Sequence, residues 1–434
     1  MSDWTSAPAG PLRGELRVPG DKSISHRAIM LAALAEGTSR ITGFLEGEDT
    51  RATARAFAQM GVRIEAPQPS ERVVHGAGLR GLRAPNGPID CGNAGTGMRL
   101  LAGLLAGQAF DSTLIGDESL SRRPMRRVTE PLIQMGARID AEQGGLPPLR
   151  IAGKRALRGV DYEVPIASAQ VKSAILLAGL YADGVTSVRE PHPTRDYTER
   201  MLAAFGWPIE FAPGWAKLGG GHRLQARAIE VPADFSSAAF FVVAASIVPG
   251  SEIVLRDVGI NPRRTGLLHA LRAMGADIDG INSRSIGGEP VADLVVRHAP
   301  LHGIEVPLEL VPDMIDEFPV LFIAAAAARG TTRIRGAAEL RVKESDRIAV
   351  MAKGLRALGI RIEETPDGAI IEGGRFDGGE VDSAGDHRCA MGFAVAGLLA
   401  GEPIRIGDCA NVATSFPGFV ELANGCGFGL RANA

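Results

Sequence analysis

Met60-Gly61-Val62-Arg63-Ile64-Glu65 is one of six copies of a short phrase that decides the fold of this chain. A bulky residue precedes a glycine, two variable residues follow, and an aliphatic residue and usually an acid end the phrase. Successive glycines are 75, 70, 69, 84 and 68 residues apart, and the further copies contain Gly136, Gly206, Gly275, Gly359 and the degraded Gly427. Each copy follows an amphipathic stretch, and glycine after a helix provides a left-handed C-terminal cap. The phrase therefore predicts a helix, a glycine and a strand in each copy.

A second phrase, an Ala- and Leu-rich run that ends in glycine, interleaves with the first. The runs include residues 98–106, 171–183, 236–249, 318–329 and 389–400, and the glycines are Gly37, Gly107, Gly184, Gly250, Gly330 and Gly401. These runs are apolar nearly all round, so we expect helices that are buried on all sides. Each repeat is then a buried inner helix, a strand, an amphipathic outer helix and a strand. Six such repeats predict an α/β protein with two globular halves of three repeats each.

The domain boundaries are predicted where proline accompanies a change of repeat. The segment Ile229-Glu230-Val231-Pro232-Ala233-Asp234 leads into the fourth buried helix, and a second crossing is predicted near Val18-Pro19-Gly20. The predicted domains are residues 20–231, and residues 1–19 together with 232–434. The active site is expected in the cleft between them.

Composition limits the kind of protein this can be. The chain has 434 residues, of which 45% are hydrophobic and 22% charged, and its net charge is −3. It can bury large cores, and it lacks the basic excess that nucleic-acid binders carry. Its apolar runs are too short to span a bilayer, and no signal peptide is visible. The four cysteines and eight histidines form no Cys-x-x-Cys or His-Glu-x-x-His pattern, which favours a reducing cytoplasm and predicts no metal site.

Polar residues gather just before the predicted inner helices, where a helix leaves backbone N–H groups unpaired and partly positive. The first such segment is Asp21-Lys22-Ser23-Ile24-Ser25-His26-Arg27, and the second is Gly92-Asn93-Ala94-Gly95-Thr96. Several helix starts at one place form an anion site. The loops before the outer helices add cations that suit phosphate and carboxylate, among them Arg51, Arg122, Arg123, Arg126, Arg127, Arg195, Arg263, Arg264, Lys343 and Arg347. Ser236 and Ser237 are expected to be ordinary helix caps, and the fourth repeat chiefly structural.

One motif is misleading. Gly76-Ala77-Gly78-Leu79-Arg80-Gly81 matches the dinucleotide-binding pattern G-x-G-x-x-G. That pattern functions only when a helix follows it. The next residues, Leu82-Arg83-Ala84-Pro85-Asn86-Gly87-Pro88, cannot form a helix, so no dinucleotide site is expected.

These segments together resemble the 3-phosphoshikimate 1-carboxyvinyltransferase family of enolpyruvyltransferases. The resemblance covers essentially the whole chain and rests on six ordered motifs: the segments around Lys22 and Gly95, then Arg123-Pro124-Met125, Ser168-Ala169-Gln170, Arg341-Val342-Lys343-Glu344-Ser345-Asp346-Arg347 and Asp386-His387-Arg388. It implies a two-domain inverse α/β barrel of six βαβαββ-type repeats, three per domain. It also implies transfer of the enolpyruvyl group of phosphoenolpyruvate to the 5-hydroxyl of 3-phosphoshikimate, with release of phosphate. No metal or organic cofactor and no partner beyond the two substrates are implied, and a monomer is expected.

The resemblance also implies roles for particular residues. Asp316 resembles the base at the hydroxyl, and Glu344 with Lys22 would exchange the proton at C3, although which of the two delivers it stays open. The residues implied to bind 3-phosphoshikimate are Lys22, Ser23, Arg27, Ser168, Gln170, Arg195, Asp316 and Lys343. Those implied to bind phosphoenolpyruvate are Lys22, Gly95, Arg123, Gln170, Arg347 and Arg388.

The chain departs from the family pattern at several positions. Glu339-Leu340 stands where many members have Asn-Trp, and Thr414 stands where many have lysine. The phosphoenolpyruvate site would therefore lack one cation, so that Arg388 would carry more of the charge. Family members that tolerate the inhibitor glyphosate can carry alanine where this chain has Gly95. We therefore expect Gly95 to leave room for glyphosate.

Two other functions are weighed against this one. An enolpyruvyltransferase acting on UDP-N-acetylglucosamine shares the fold, but it typically uses a cysteine on a mobile loop. Residues 108–122 contain no cysteine, and Cys91 precedes a helix. A non-catalytic phosphate-ligand sensor on the same fold would be expected to lose Asp316, Glu344 or Lys22, and all three are present.

Overall fold

Helices alternate with short groups of strands along the chain. The computed structural model describes residues 3–154 and 156–433; Met1, Ser2 and Ala434, at the ends of the predicted domains, and Arg155 lie outside the described residues. Helices are numbered α1–α13 and strands β1–β24 along the chain. The outer helices are α2 (Glu48–Gln59), α5 (Arg126–Gln134), α7 (Tyr197–Ala204), α9 (Gly266–Ala273), α11 (Arg347–Ala357) and α13 (Phe419–Gly425).

Each outer helix ends in the same backbone turn. The recurring glycine has a positive φ in all six copies, from 82° to 112°. The residue after it donates its N–H to a carbonyl five residues earlier, as Val62 does to Phe57 at 3.0 Å and Phe428 to Ala423 at 3.1 Å. This is the Schellman motif, in which glycine takes the left-handed conformation without the strain of a side chain. The predicted helix, glycine and strand are therefore confirmed in all six copies.

The inner helices are buried along most of their length, and their partly exposed residues lie mainly in the first turns. They are α1 (Lys22–Leu34), α3 (Gly95–Ala106), α6 (Ala169–Gly179), α8 (Phe235–Ile247), α10 (Phe318–Ala327) and α12 (His387–Gly397), and a short α4 (Glu118–Ser121) follows the second repeat's first long strand. All 13 residues of α8 are buried. Because no side of such a helix faces water, its sequence is apolar without a polar stripe. The helices are shorter than the apolar runs predict: α6 ends at Gly179, and Gly37 lies within a strand.

Three sheets belong to the first three repeats, and each begins with a parallel pair. In the second repeat the spatial order is β6 (Ile89–Asp90), β7 (Ser112–Ile115), β9 (Leu146–Ala152) and β8 (Arg138–Glu142). In the third it is β10 (Asp161–Glu163), β11 (Val185–Arg189), β13 (Trp215–Gly219) and β12 (Ile209–Ala212). In the first, β14 (Leu224–Gln225) and β15 (Ile229–Glu230) lie parallel to β3 (Ala35–Thr42), followed by β5 (Glu71–Ala77) and β4 (Arg63–Glu65).

The fourth and sixth repeats follow the same plan, whereas the fifth sheet has isolated parallel bridges at Arg329 and Arg333 in place of a parallel first strand among the described residues. The fourth sheet has the order β2 (Arg13–Leu16), β16 (Glu252–Gly259), β18 (Glu289–Arg297) and β17 (Asp277–Ile286). The fifth has β19 (Thr331–Ile334), β21 (Gly368–Glu372) and β20 (Ile362–Thr365). The sixth has β22 (Gly379–Asp382), β23 (Ile404–Gly407), β1 (Asp3–Ala7) and β24 (Gly429–Asn433), so the first strand of the chain completes the last repeat. The predicted α/β class and βαβαββ-type repeats are confirmed.

The chain forms two compact units. The N-terminal unit consists of Gly20–Val231 and Ile286–Glu289, and the C-terminal unit of Met1–Pro19, Pro232–Ser285 and Pro290–Ala434. Each unit has its own hydrophobic core, made mainly of its three inner helices and the inward faces of its sheets. That the active site lies between the two domains stays a prediction.

Two further expectations concern membrane-spanning helices and the G-x-G-x-x-G segment. No helix within residues 3–154 and 156–433 is both long and apolar enough to cross a membrane. Strand β5 ends at Ala77, inside the G-x-G-x-x-G segment, and the next element is β6, which begins at Ile89. The helix that a dinucleotide site requires is therefore not found there, as expected.

The close packing of α3 against α6 generates a test of the N-terminal unit. A Cβ atom at Gly103 would lie 2.1 Å from the backbone oxygen of Ala174, so the Gly103→Ala substitution forces the two helices apart. We expect the free energy of unfolding, measured in urea, to fall by about 2 kcal/mol or more, as overpacked cores do. Gly219→Ala is the control, because a Cβ there meets nothing within 4 Å. Equal stability of the two variants would contradict this account of the helix contact.

Candidate active site

The starts of the inner helices differ in how their N–H groups are satisfied. Helices α3 and α10 begin after Ala94 and Glu317 without a hydrogen bond from a capping side chain. In each of the other four, a side-chain oxygen accepts a hydrogen bond from a backbone N–H of the first turn. The pairs are Asp21 with Ile24 N at 2.8 Å, Ser168 with Val171 N at 3.4 Å, Asp234 with Ser236 N at 3.1 Å and Asp386 with Arg388 N at 2.9 Å. The expectation that Ser236 and Ser237 are the caps of α8 is wrong, because Asp234 takes that place and also accepts from Ser237 Oγ at 3.2 Å.

The predicted residues of the N-terminal unit stand at three of these helix starts and in the loops before α5 and α7. We call them the N-terminal cluster: Lys22, Ser23, Arg27, Gly95, Arg123, Ser168, Gln170 and Arg195. Lys22 begins α1, and its Nζ lies 3.1 Å from Asp49 Oδ2 with one-fifth of the side chain exposed. Its ammonium is therefore held by one carboxylate and still reaches solvent.

Arg27 is fixed by partners from two other helices. Its Nε donates to Thr198 Oγ1 at 2.7 Å and its Nη2 to Ser173 Oγ at 2.8 Å, while Nη1 donates to the carbonyl of Ser23 at 2.9 Å. Burial lowers the pKa of Arg27 to about 10; Glu199 opposes this shift and the charge of Arg195 adds to it. The charges of Arg27 and Arg195 therefore lie close enough to influence each other.

Gln170 connects the starts of α3 and α6. Its Nε2 donates to Thr96 Oγ1 at 2.8 Å, and its Oε1 accepts from Arg99 Nη1 at 2.6 Å. A Cβ at the adjacent Gly95 would lie 3.2 Å from Arg123 Nη1. The guanidinium of Arg123 thus lies over the first turn of α3, where backbone N–H groups and a cation together suit an anion.

The predicted residues of the C-terminal unit surround one buried arginine. We call Asp316, Lys343, Glu344, Arg347 and Arg388 the C-terminal cluster. Arg347 is 1% exposed and contacts three carboxylates: Nε to Asp386 Oδ2 at 2.8 Å, Nη2 to Glu344 Oε2 at 2.7 Å and Nη1 to Asp316 Oδ1 at 3.5 Å. Burial alone would lower the pKa of Arg347, but Asp386, Glu344 and Asp316 raise it, so this group is a permanent cation.

Asp316 lies between two guanidinium groups. Its Oδ2 is 3.3 Å from Arg264 Nη1, while its Oδ1 faces Arg347. The carboxylate keeps 17% of its surface exposed, whereas Arg264 is 5% exposed. The open edge of this carboxylate leaves it able to accept a hydrogen bond from a bound hydroxyl.

Arg264 and Glu317 belong to the same group of charges, although the family resemblance implies a role for neither. Glu317 is buried and accepts from Ser236 Oγ; its Oε1 also lies 3.5 Å from Arg264 Nη1 and 3.9 Å from Arg388 Nη1. The fourth repeat supplies Arg264 and Ser236 to this group of charges, and that it is chiefly structural stays a prediction. The dipeptide Asp316-Glu317 is a visible signal in the sequence, but its arginine partners cannot be read from sequence spacing.

Lys343 and Thr414 are the remaining positions of the C-terminal unit that the family resemblance singles out. Burial lowers the pKa of Lys343, although Asp316 and Glu339 oppose this shift. Thr414, where many members of the family have lysine, is buried and donates its hydroxyl to the carbonyl of Asn411 at 2.7 Å.

Two of the predicted cations of the N-terminal unit lie on the surface. Arg122 and Arg126 are exposed, and they pair with Glu118 and Glu130 one helical turn away. They are therefore ordinary surface charges.

The described part of the chain contains no group of three or more His, Cys, Asp or Glu side chains that could hold a metal ion.

Comparisons with known proteins identify the family. The family model described as EPSP synthase (3-phosphoshikimate 1-carboxyvinyltransferase) matches residues 7–422. The chain is 67% identical over 429 residues to the 3-phosphoshikimate 1-carboxyvinyltransferase of Xanthomonas campestris pv. campestris (strain B100), covering 99% of this chain and 98% of the relative. A structure of EPSP synthase from Acinetobacter baumannii matches with a TM-score of 0.91 and 52% identity over the full length of both chains. The enolpyruvyl transferase NikO from Streptomyces tendae, at 17% identity and a TM-score of 0.81 over 100% of this chain and 99% of its own, shares the fold.

His26 makes the stability of the N-terminal unit depend on pH. The ring is wholly buried, with Nδ1 2.7 Å from Thr53 Oγ1, and burial together with Lys22 and Arg27 lowers its pKa to about 3. Between this value and the ordinary value of about 6.5, the unfolded chain binds a proton that the folded chain does not, so stability falls as the pH falls. From pH 6.5 to 5, we expect the free energy of unfolding of the wild type to lose about 2 kcal/mol more than that of His26→Gln.

The measurement is urea unfolding of both proteins across this range. Absolute stability is not compared, because glutamine also changes the packing. His192→Gln, at an exposed position, should follow the wild type. A wild type and a His26→Gln variant with parallel pH profiles would show that His26 is not held neutral.

Proposed function

The chain belongs to the EPSP synthase family of 3-phosphoshikimate 1-carboxyvinyltransferases, and on that premise we propose that the N-terminal and C-terminal clusters carry the family's reaction. The enzyme transfers the enolpyruvyl group of phosphoenolpyruvate to the 5-hydroxyl of 3-phosphoshikimate and releases phosphate. The observation that carries the assignment of residues is Arg347, whose contacts hold Asp316 and Glu344 in one group.

The N-terminal cluster is proposed to bind both anions. Arg27 and Arg195 would hold the phosphate of 3-phosphoshikimate, together with Lys22, Ser23, Ser168 and Gln170. Arg123 and the open first turn of α3 at Gly95 would hold phosphoenolpyruvate. The support for this division is that the first turn of α3 has N–H groups that no capping side chain occupies, beside the guanidinium of Arg123.

The C-terminal cluster is proposed to handle protons and the departing phosphate. The 5-hydroxyl gives its proton to Asp316 as its oxygen attacks C2 of phosphoenolpyruvate, and C3 gains a proton. A tetrahedral intermediate forms; it then loses phosphate and a proton from C3, which restores the double bond. Glu344, with Lys22, is proposed to exchange the C3 proton, while Arg347, Arg388 and Lys343 stabilise the negative charge.

Neither alternative is favoured. A cysteine-dependent enolpyruvyl transfer would need a reactive thiol, but burial raises the pKa of the Cys91 thiol to about 12. A non-catalytic sensor would have no need for a carboxylate held between two guanidinium groups, as Asp316 is. Action as a monomer in the cytoplasm stays a prediction.

Asp316 is the first residue to test. We expect Asp316→Ala to lose turnover by several orders of magnitude in a coupled assay of phosphate release, because the attacking hydroxyl loses its base. Binding of a phosphoenolpyruvate analogue should persist. Asp313→Asn is the control, since Asp313 lies three residues away and pairs with Arg263 instead. Unchanged turnover of Asp316→Ala would remove its role, and a wild type that releases no phosphate when 3-phosphoshikimate is added would overturn the proposed function.

Gly95 tests the phosphoenolpyruvate site. The methyl group of Gly95→Ala would lie 3.2 Å from Arg123 Nη1 and 3.4 Å from Arg99 Nη1, so these guanidinium ends must shift by a few tenths of an ångström. We expect the inhibition constant of glyphosate to rise more than the phosphoenolpyruvate KM, with Gly87→Ala, whose Cβ meets nothing within 4 Å, as the control. Equal, weak inhibition of wild type and Gly95→Ala would contradict the idea that Gly95 leaves room for this inhibitor.

A further inference from the structure

A buried triad of charges lies in the N-terminal unit and is formed by Lys172, Glu190 and Glu199. Lys172 Nζ on α6 is 2.7 Å from Glu190 Oε2, directly after β11, and 2.9 Å from Glu199 Oε1 on α7. None of the three side chains is more than 3% exposed. Stability alone does not favour such a group, because apolar residues of similar volume often stabilise a core as well or better. The triad therefore calls for a structural or functional reason.

Lys172 is fully engaged by its two carboxylates and cannot itself bind a substrate anion. Burial alone would lower the pKa of Lys172, but Glu199 and Glu190 raise it above its usual value, so the ammonium stays charged. With two carboxylates on one ammonium, the triad as a whole attracts no further anion. Any effect of Lys172 on ligand binding must therefore pass through the segments that it joins.

The first of these segments is the loop that carries Arg195. Glu190 Oε2 accepts from the backbone N–H of Thr194 at 3.3 Å, and Glu190 Oε1 accepts from the hydroxyl of Thr194. Lys172 Nζ also lies 3.5 Å from the carbonyl of Thr194. Both backbone polar groups of Thr194 and its side chain are thus held by the triad, immediately before Arg195.

The second segment is the pair of helices that holds Arg27. Next to the Lys172–Glu199 contact, Thr198 Oγ1 donates to Ser173 Oγ at 2.7 Å, so two consecutive residues of α6 meet two consecutive residues of α7. These two hydroxyls are the ones that receive the guanidinium of Arg27. The same helix α6 carries Gln170 in its first turn and Ser168 as its cap.

We propose that Lys172 is a positioning residue for 3-phosphoshikimate: it ties the starts of α6 and α7 and the Thr194 loop together, so that Ser168, Gln170, Arg195 and Arg27 meet the ligand in one geometry. The inference rests on the proposed roles of those four residues. A binding constellation acts at full strength only when a second layer of contacts fixes its side chains. Here that layer is ionic: the ammonium of Lys172, on α6, contacts Glu199 on α7, Glu190 and the carbonyl of Thr194.

The test is steady-state kinetics of Lys172→Met, which keeps the length of the side chain and removes the charge. We expect the 3-phosphoshikimate KM to rise about tenfold or more, since a small misplacement of binding groups can cost up to about 10²-fold. The phosphoenolpyruvate KM should rise less, because Gln170 is the one of these four residues that is also assigned to phosphoenolpyruvate. The kcat should stay within about twofold, because none of the four is assigned to proton transfer.

Lys172→Met leaves two buried carboxylates facing each other and can impair folding. The triple variant Lys172→Met/Glu190→Gln/Glu199→Gln removes that repulsion while its amides can still hydrogen-bond Thr194. The rise in the 3-phosphoshikimate KM should persist in the triple variant, since the ammonium that joins the three segments is still missing. Recovery of the wild-type KM would overturn the positioning role and attribute the effect to repulsion.

Arg72→Met is the matched control. Arg72 is a cation of the same unit, 6% exposed and paired with Glu46, and it contacts no residue of the N-terminal cluster. We expect it to lower the melting temperature while the 3-phosphoshikimate KM stays unchanged. An equal rise in both variants would mean a general loss of stability and would overturn the inference. If the wild type itself shows no reaction with 3-phosphoshikimate, the proposed function fails instead.

Discussion

The backbone N–H groups at the starts of the inner helices are the constraint on which the rest of the structure depends. The first turn of each helix has backbone N–H groups without partners inside the helix, and a donor left buried without a partner costs about 1–3 kcal/mol. Four inner helices meet this need with an aspartate or serine of their own. Helices α3 and α10 begin without such a cap, and these are the helices that carry Gly95 and follow Asp316. Polar chemistry is therefore concentrated where the buried helices begin.

Buried cations are likewise paired with polar partners, here carboxylates. Arg347 and Lys172 differ in how exposed those carboxylates are. Arg347 faces Asp316 and Glu344, whose side chains are 17% and 25% exposed, so these carboxylates can still reach a ligand. Lys172 faces Glu190 and Glu199, which are 0% and 1% exposed. An ion pair with an open edge can take part in proton transfer, whereas a closed one can only fix the positions of the elements that carry it. This contrast separates a reacting group from a supporting one within a single fold.

Local features of this fold can be predicted from the sequence, and those that depend on distant contacts cannot. The six glycines and the apolar helices follow from backbone conformation and from burial, which act over a few residues, and their pattern indicates the repeats. The predicted end of α6 is too late because an apolar run does not stop where the helix stops. Arg264 is visible as a cation, but its contact with Asp316 joins residues 52 positions apart. The sequence assigns the cap of α8 to Ser236 because serine and aspartate compete for the same role, and only the backbone geometry decides between them.

The same division between local and distant contacts bears on how the enzyme family can vary. The motif around Arg27 contains the side chain that we propose to bind an anion, and among the described residues of that motif the carbonyl of Ser23 accepts a hydrogen bond from it. Its other partners, Ser173 and Thr198, lie 146 and 171 residues away. These hydroxyls in turn stand beside Lys172 and Glu199, so the position of the guanidinium depends on charges that no binding motif contains. Two chains with identical motifs can therefore bind the same substrate with different affinity, because the residues that recognise the anion and the residues that aim them are separate parts of the sequence.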